Sequence, residues 1–259
     1  MENISMEYHN PTLRVLRILE LIDANSGGLS LSEISNLLEL PKGTISPILK
    51  TLAAANYILP EGSLYRIGPR SFELGLSYAS GRNALSIIRS EMRSIVSQVD
   101  EVCQMGVLTG RDVHYLLKEE GHAMISIISD VGRNLPAHVT GLGKVLLSGM
   151  TDEEVRQLYQ GYRFFPYTPH SIMDVDALIA DIQKVRSAGI AYEIEESTAE
   201  ICCAAVPLAE DGVVKAAISV TLPKFRYTDE KKQQITRLLL QKRQLIEESC
   251  RIQNCKLVF

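Results

Sequence analysis

Between Pro41 and Leu52 the polar residues are Lys42, Thr44, Ser46, Lys50 and Thr51: two cations, three hydroxyls and no carboxylate. Such a face suits a DNA duplex, because cations and hydroxyls meet phosphates and hydroxyls also reach base edges. It equally describes the solvated side of an ordinary helical hairpin. Farther on, Glu193, Glu195 and Glu196 form an acid run. Strand alternation sets Glu193 and Glu195 on one face, but no partnered nucleophile or base is visible, so no catalytic pair is read there. Gly141-Leu142-Gly143-Lys144 has some of the look of a phosphate loop. It fails the pattern, because position 138 is His where glycine is required and Val145 follows the lysine. Cys202 and Cys203 are adjacent in an apolar run, so alternation turns one of them into a core. His9, His114, His122, His138 and His170 are too scattered for metal-ligand spacing, and His138 reads as a structural hydrogen-bonding residue. No enzyme chemistry emerges, and no cofactor or metal is implied.

The elements that must hold the Lys/Thr/Ser face are short helices. Ser30 and Glu33 have capping-box spacing, and Ile34, Leu37 and Leu38 then give one apolar stripe. Pro41 ends that helix, because the residue before a proline is driven out of the α region. Ile45, Ile48, Leu49 and Leu52 make a second stripe. Two such helices around a tight turn read as a helix-turn-helix with Ser30, Lys42, Thr44, Ser46, Lys50 and Thr51 toward DNA. Upstream, Asn10-Pro11 is a helix start with Asn as N-cap and Pro at the first helical position. Val15, Ile18, Leu19 and Ile22 form the stripe of this support helix, and Gly27-Gly28 end it. Downstream, Tyr57-Ile58-Leu59 and Leu64-Tyr65-Arg66-Ile67 flank a Pro/Gly/Ser turn, which predicts a hairpin. A helix-turn-helix followed by a hairpin is a winged helix, with Arg66 along the DNA backbone.

Composition sets bounds on these readings. The chain has 259 residues, 46% hydrophobic and 22% charged, enough for two domains of ordinary soluble composition. No apolar run approaches the length of about 18 residues that spans a membrane. The first ten residues lack the basic and apolar regions of a signal peptide. Five cysteines, an odd number without metal-like spacing, fit a reducing cytoplasm. The net charge of −4 is unusual for a nucleic-acid binder, so affinity must be gathered from several subunits.

Arg70 to Asn83 reads as a linker helix. Residues 84–259 then read as an α+β unit. A helix to Val99 precedes β-like runs at Val102 to Thr109, Val113 to Lys118 and Met124 to Ser129. Helices follow at Thr140 to Ser148, from Thr151 to about Tyr159, and at Asp174 to Ala188. Runs at Ile190 to Ile194, Ile201 to Leu208 and Val213 to Leu222 look like strands of a mixed sheet, the last two joined by the turn signal Asp211-Gly212. A long amphipathic helix closes the chain. A sheet flanked by helices, with its loops gathered at one edge, is a sensible container for a small molecule.

With these residues in place, the chain resembles the IclR-type transcriptional regulators from about Asn10 to Cys250. LSEISNLLELPKGTISPILKTL and YILPEGSLYRIG resemble the family's helix-turn-helix and wing. GRNLPAHVTGLGKVLLS, GIAYEIEESTAEICCAAVPL and VVKAAISVTLP resemble its spaced motifs in the second domain. The resemblance implies a winged-helix domain (residues 1–68), a linker helix (69–83) and a GAF-like effector domain (84–259). It implies dimers or dimers of dimers, a double-stranded DNA operator, and a small organic-acid or sugar-derived effector. On that basis the pocket is lined by Met124, Val139, Thr140, Gly141, Glu193, Ile201, Cys203 and Ser219. The hydroxyls of Thr140 and Ser219 would donate to the ligand, Glu193 would accept from its hydroxyls, and N–H groups near Thr140 would hold a carboxylate. The competing reading is a metabolite-binding enzyme or carrier whose helical N-terminal domain only dimerises.

Three residues depart from the family pattern. Pro47 stands where an arginine is usual, and proline inside a helix costs about 3 kcal/mol. A late helix start with Thr44 as N-cap, or else a kink, is therefore expected. Glu200 replaces a glycine, which would narrow the pocket or add charge beside it. Of Cys202-Cys203, Cys203 matches the family cysteine.

Overall fold

The computed structural model describes residues 9–80, 83–121 and 130–259. The chain divides into two compact units, Met1–Gly81 and Arg82–Phe259.

In the first unit, α1 (Asn10–Asp23), α2 (Leu31–Leu37) and α3 (Lys42–Ala54) precede a hairpin of β2 (Ile58–Glu61) and β3 (Leu64–Ile67). A two-residue strand, β1 (Leu29–Ser30), pairs with β3 to complete a small sheet. Ile18, Ile22, Leu29, Ile34, Ile45, Leu49, Leu52 and Ile58 form its core, each full burial contributing about 1.5–3 kcal/mol. The Ser30–Glu33 capping box is present in both directions. Leu37 departs from its stripe and is exposed, because α2 ends there after two turns. Helix α1 is capped by His9, so Asn10 is its first helical residue. It stops at Asp23, and Gly28 is used instead at φ 83, in the turn into β1.

Helix α3 begins at Lys42 with Pro41 as its N-cap. The expected late start with Thr44 as N-cap does not occur: the Thr44 and Ile45 N–H groups donate to the Pro41 carbonyl at 2.9 and 3.3 Å, which starts the helix three residues earlier. Pro47 therefore lies inside the helix with no N–H to offer the Gly43 carbonyl. Helix α4 (Pro69–Ser80) follows, its start tied back by Arg70 N–H to the Asn56 carbonyl and by the Ser71 hydroxyl to the Tyr57 carbonyl.

The second unit is a six-stranded sheet of order β6-β5-β4-β9-β8-β7. Its strands are β4 (Val102–Thr109), β5 (Asp112–Glu119), β6 (Asn134–Pro136), β7 (Ala191–Ile194), β8 (Ile201–Glu210) and β9 (Val213–Pro223). Every pairing among the described residues is antiparallel, so the expected mixed sheet is corrected. The reason lies in the connections: tight turns such as Asp211-Gly212 return the chain at once, whereas parallel neighbours need a long crossover. The strand expected at Met124 to Ser129 lies outside the described residues, as does Met124 itself.

Helices α5 (Asn83–Val99) and α9 (Asp229–Ile252) cover one face of the sheet. Helices α6 (Gly141–Leu147), α7 (Asp152–Leu158) and α8 (Val175–Ala188) cover the other. Alternation along β8 sends Cys202, Ala204, Val206 and Leu208 into the α5/α9 core. Cys203 and Ala205 face α6. The α6 face carries the cavity described next.

Candidate functional site

On α3 the described side chains place Lys42, Lys50 and Thr51 in solvent and leave Thr44 and Ser46 half-buried. Several of these groups already have work to do. The Ser30 hydroxyl caps α2. The Lys42 ammonium donates to the Ser32 hydroxyl at 2.8 Å, joining α3 to α2. The Thr51 hydroxyl donates to the Pro47 carbonyl at 2.9 Å. Arg66 pairs with Glu61 at 3.1 Å across the wing. Lys50 makes no hydrogen bond or ion pair among the described residues.

In the second unit a cavity of about 30 Å³ lies between the sheet and the start of α6. Five of the expected residues reach its wall: Thr140, Gly141, Glu193, Ile201 and Cys203. Val139 and Ser219 are buried but stand outside the wall. Gln104, Tyr115, Leu135, Leu142, Ser197, Thr198 and Thr221 complete it. Sequence reasoning missed these seven. The one available signal was register, since Gln104 pairs with Ser219 and Cys203 with Thr221 on neighbouring strands.

Close packing explains the glycines of Gly141-Leu142-Gly143-Lys144. A Cβ on Gly141 would meet the Cys203 sulfur at 3.0 Å, and one on Gly143 would meet the Ala137 carbonyl oxygen at 2.1 Å. Thr140 caps α6: its hydroxyl accepts from the Gly143 N–H at 3.1 Å and donates to the Pro136 carbonyl at 3.4 Å. Its donor is thus turned toward the protein. Lys144 is buried, donating to Glu196 at 2.5 Å and pairing with Asp181 at 2.7 Å.

The acid run splits three ways. Strand β7 ends at Ile194, and Glu195 takes φ 58, so alternation does not carry Glu195 onto the face of Glu193. Glu195 pairs with Lys224 and accepts from the Glu200 N–H, and the Lys224 ammonium holds its carboxyl below the usual range. Glu196 goes to Lys144. Glu193, 2% exposed, accepts from the backbone N–H groups of Glu196 at 2.6 Å and Ser197 at 3.1 Å. Burial pushes its carboxyl up to about 7, against the pull of those two N–H groups. One oxygen of Glu193 is therefore spent on shaping the 195–200 loop. Glu200 is exposed and off the cavity wall, so it does not narrow the pocket; its backbone sits at φ 60, a conformation that favours glycine.

His138 has no hydrogen-bond partner on either ring nitrogen, contrary to the structural bond expected for it. It is enclosed by Tyr159, Tyr162, Phe164 and Tyr167, at 5.0–6.3 Å between ring centres. Burial, with Lys144 adding to it, lowers its pKa to about 4, which keeps the ring neutral.

A winged helix-turn-helix followed along the chain by an antiparallel sheet with a small, largely apolar cavity defines a helix-turn-helix protein with a second, sheet-built unit. The chain belongs to the IclR family. Residues 12–61 match the IclR helix-turn-helix domain and residues 76–247 the bacterial transcriptional regulator IclR C-terminal domain. It is similar to the HTH-type transcriptional regulator XynR of Escherichia coli (strain K12), 31% identical over 83% of this chain and 87% of that protein. It is also similar to the transcriptional repressor AllR of the same organism, 29% identical over 84% and 82%. Among solved structures, the Thermotoga maritima IclR covers 93% of this chain and 99% of its own at a TM-score of 0.78 and 23% identity. An IclR homologue from Microbacterium hydrocarbonoxydans, complexed with 4-hydroxybenzoate, covers 93% and 99% at a TM-score of 0.83 and 24% identity. The chain is a DNA-binding transcriptional regulator.

Proposed function

We propose that this regulator is a cytoplasmic repressor that releases its operator when a small organic acid or sugar-derived metabolite fills the cavity beside Glu193. The observation that carries the reading is the cavity itself: a small space between the sheet and α6 with Gln104, Thr140, Glu193, Ser197, Thr198 and Thr221 at its wall. At about 30 Å³ it has the share of one liquid water. A metabolite enters only as the 195–200 loop moves, and that movement is the differential interaction a switch requires. The name of the relative AllR supports repression, and the 4-hydroxybenzoate complex of a structural neighbour supports a small carboxylic acid.

In this reading residues 1–68 bind DNA, 69–83 link, and 84–259 sense. Ser30, Lys42, Thr44, Ser46, Lys50, Thr51 and Arg66 face the operator, with Lys50 as a phosphate contact that costs no internal bond. The protein acts as a homodimer or dimer of dimers; the exposed Phe72 and Leu74 of α4 support a second copy as the cover. No helix among the described residues is long and apolar enough to cross a membrane.

The test is selection of bound fragments from genomic DNA of the source organism, with affinity followed against salt. A recurrent palindrome whose affinity falls steeply in salt is expected. Pooled small acids should then release it. If the Lys42→Ala/Thr44→Ala/Lys50→Ala protein shifts the same fragment as well as the parent does, the assignment of α3 as the DNA-reading helix is wrong; an enzyme or carrier whose N-terminal helices only dimerise would instead leave the parent itself unable to select DNA.

A further inference from the structure

The end of α9 carries two thiols that neither DNA nor ligand binding uses. The helix closes in a left-handed reversal: Asn254 takes φ 51, and the Cys255 N–H donates to the Cys250 carbonyl at 2.9 Å. A six-to-one closure of this kind sets the side chains of its first and sixth residues against each other. The Cys255 thiol itself donates to the Cys250 carbonyl at 3.5 Å. With standard bond lengths, a backbone bond of that reach keeps the two Cα atoms within about 6.8 Å, the outer limit for a disulfide.

Access is asymmetric. Cys250 is buried and Cys255 half-buried, and both border a surface cleft of about 590 Å³ that also meets Arg243 and Arg251. The other thiols do not border this cleft. Cys103 and Cys202 lie in the α5/α9 core, and Cys203 is at the cavity wall. Beyond the cysteine pair, the chain returns to the sheet: the Leu257 N–H donates to Glu210 at 3.3 Å and its side chain enters the core.

We propose that Cys250 and Cys255 are a redox-responsive dithiol that takes hydrogen peroxide as oxidant and closes an intramolecular disulfide across the end of α9. Cys255, the accessible thiol, attacks a peroxide oxygen as its thiolate. The O–O bond breaks, a sulfenic acid forms, and the departing hydroxide takes a proton to become water. The Cys250 sulfur then attacks the sulfenic sulfur. The S–O bond breaks, the S–S bond forms, and the Cys250 proton leaves with the hydroxide as a second water. The two thiols lose two electrons and two protons, and the peroxide is reduced to two waters. Burial raises the pKa of the Cys250 thiol and keeps it protonated, so the first attack on peroxide falls to Cys255. The disulfide fixes the turn that leads Leu257 back to the sheet.

The reduced full-length protein is treated with hydrogen peroxide, alkylated and digested with trypsin. Cleavage at Arg251 separates the two cysteines, so their linkage appears as a mass. The expected result is one linked peptide within a single chain, reversed by dithiothreitol. It should form at least about tenfold faster than Cys103, Cys202 and Cys203 are lost, as exposure dictates. The melting midpoint should rise by a few degrees. Cys250→Ser should leave a Cys255 sulfenic acid that dimedone traps. Five alkylatable thiols after peroxide treatment, or a Cys255 bond between copies, overturns the proposal without recourse to any variant.

Discussion

The Lys144 ammonium, 1% exposed, donates to Glu196 at 2.5 Å and so fastens α6 to the loop that lends Ser197 and Thr198 to the cavity wall. Asp181 on α8 holds the same ammonium at 2.7 Å. Burial raises the pKa of the Glu196 carboxyl, and Lys144 works against it. Removing one partner of a buried pair strands the other and costs about 3–5 kcal/mol. Lys144→Met should lower the unfolding free energy of the second unit by about 3 kcal/mol, the low end, because Asp181 keeps some water. Adding Glu196→Gln should restore part of the loss. Urea unfolding measures both variants, and a single variant as stable as the parent would refute the role.

Glu193 and His138 respond to pH in opposite senses. Burial raises Glu193 from 4.5 to about 7, so across that window the folded chain keeps a proton that the unfolded chain has lost. Its contribution makes stability fall as pH rises through the window, by up to about 3 kcal/mol. His138, lowered from 6.5 to about 4, makes stability fall as pH drops through its own window. The two overlap, so the informative quantity is parent minus variant. Glu193→Gln should be the more stable protein at pH 8 and lose its advantage by pH 5. Denaturant midpoints at four pH values would decide it; parallel curves for the two proteins would count against the buried charge.

Glu200 occupies the left-handed region at φ 60 with its side chain in solvent. A non-glycine residue there costs about 1–2 kcal/mol. Glu200→Gly should therefore stabilise the protein by about 1 kcal/mol, because part of the relief is lost to the freer unfolded chain. Effector response should not change, since the side chain is off the cavity wall. A thermal melt and an effector titration check the two halves separately.

Where the sequence was legible, the signals were local. Ser30-x-x-Glu33 and Thr151-x-x-Glu154 mark helix starts because both partners of a capping box lie within four residues. Asp211-Gly212 marks a hairpin because both residues must take positive φ, 51 and 79. Of the cavity, Thr140, Gly141, Glu193, Ile201 and Cys203 were reached through the family resemblance. What stayed hidden depends on residues far apart in the chain. Nothing near Lys144 announces that Asp181 and Glu196 will neutralise it. Alternation past Ile194 fails because Glu195 leaves the strand, and Gln104 and Tyr115 join the wall only once β4 and β5 take their register. The start of α3 was misjudged for a related reason: Pro41 can cap a helix through its carbonyl alone, without a side chain.

Pro47 is where stability and DNA reading meet. It removes one backbone bond inside α3, and the Thr51 hydroxyl bonds its carbonyl at 2.9 Å, an arrangement that also tends to bend helices. Pro47→Ala should restore the bond to Gly43 and stabilise the first unit by about 1–3 kcal/mol. If Pro47 is only tolerated, operator affinity should stay within about threefold of the parent, because a proline ring offers no donor to a phosphate. Lys50→Ala is the contrast: it should weaken binding to every sequence alike and lower the salt slope by about one. Fluorescence anisotropy with operator and random duplexes at several salt concentrations measures both. A Pro47→Ala protein that is more stable yet binds operator tenfold more weakly would show instead that the proline sets the angle at which α3 enters the groove.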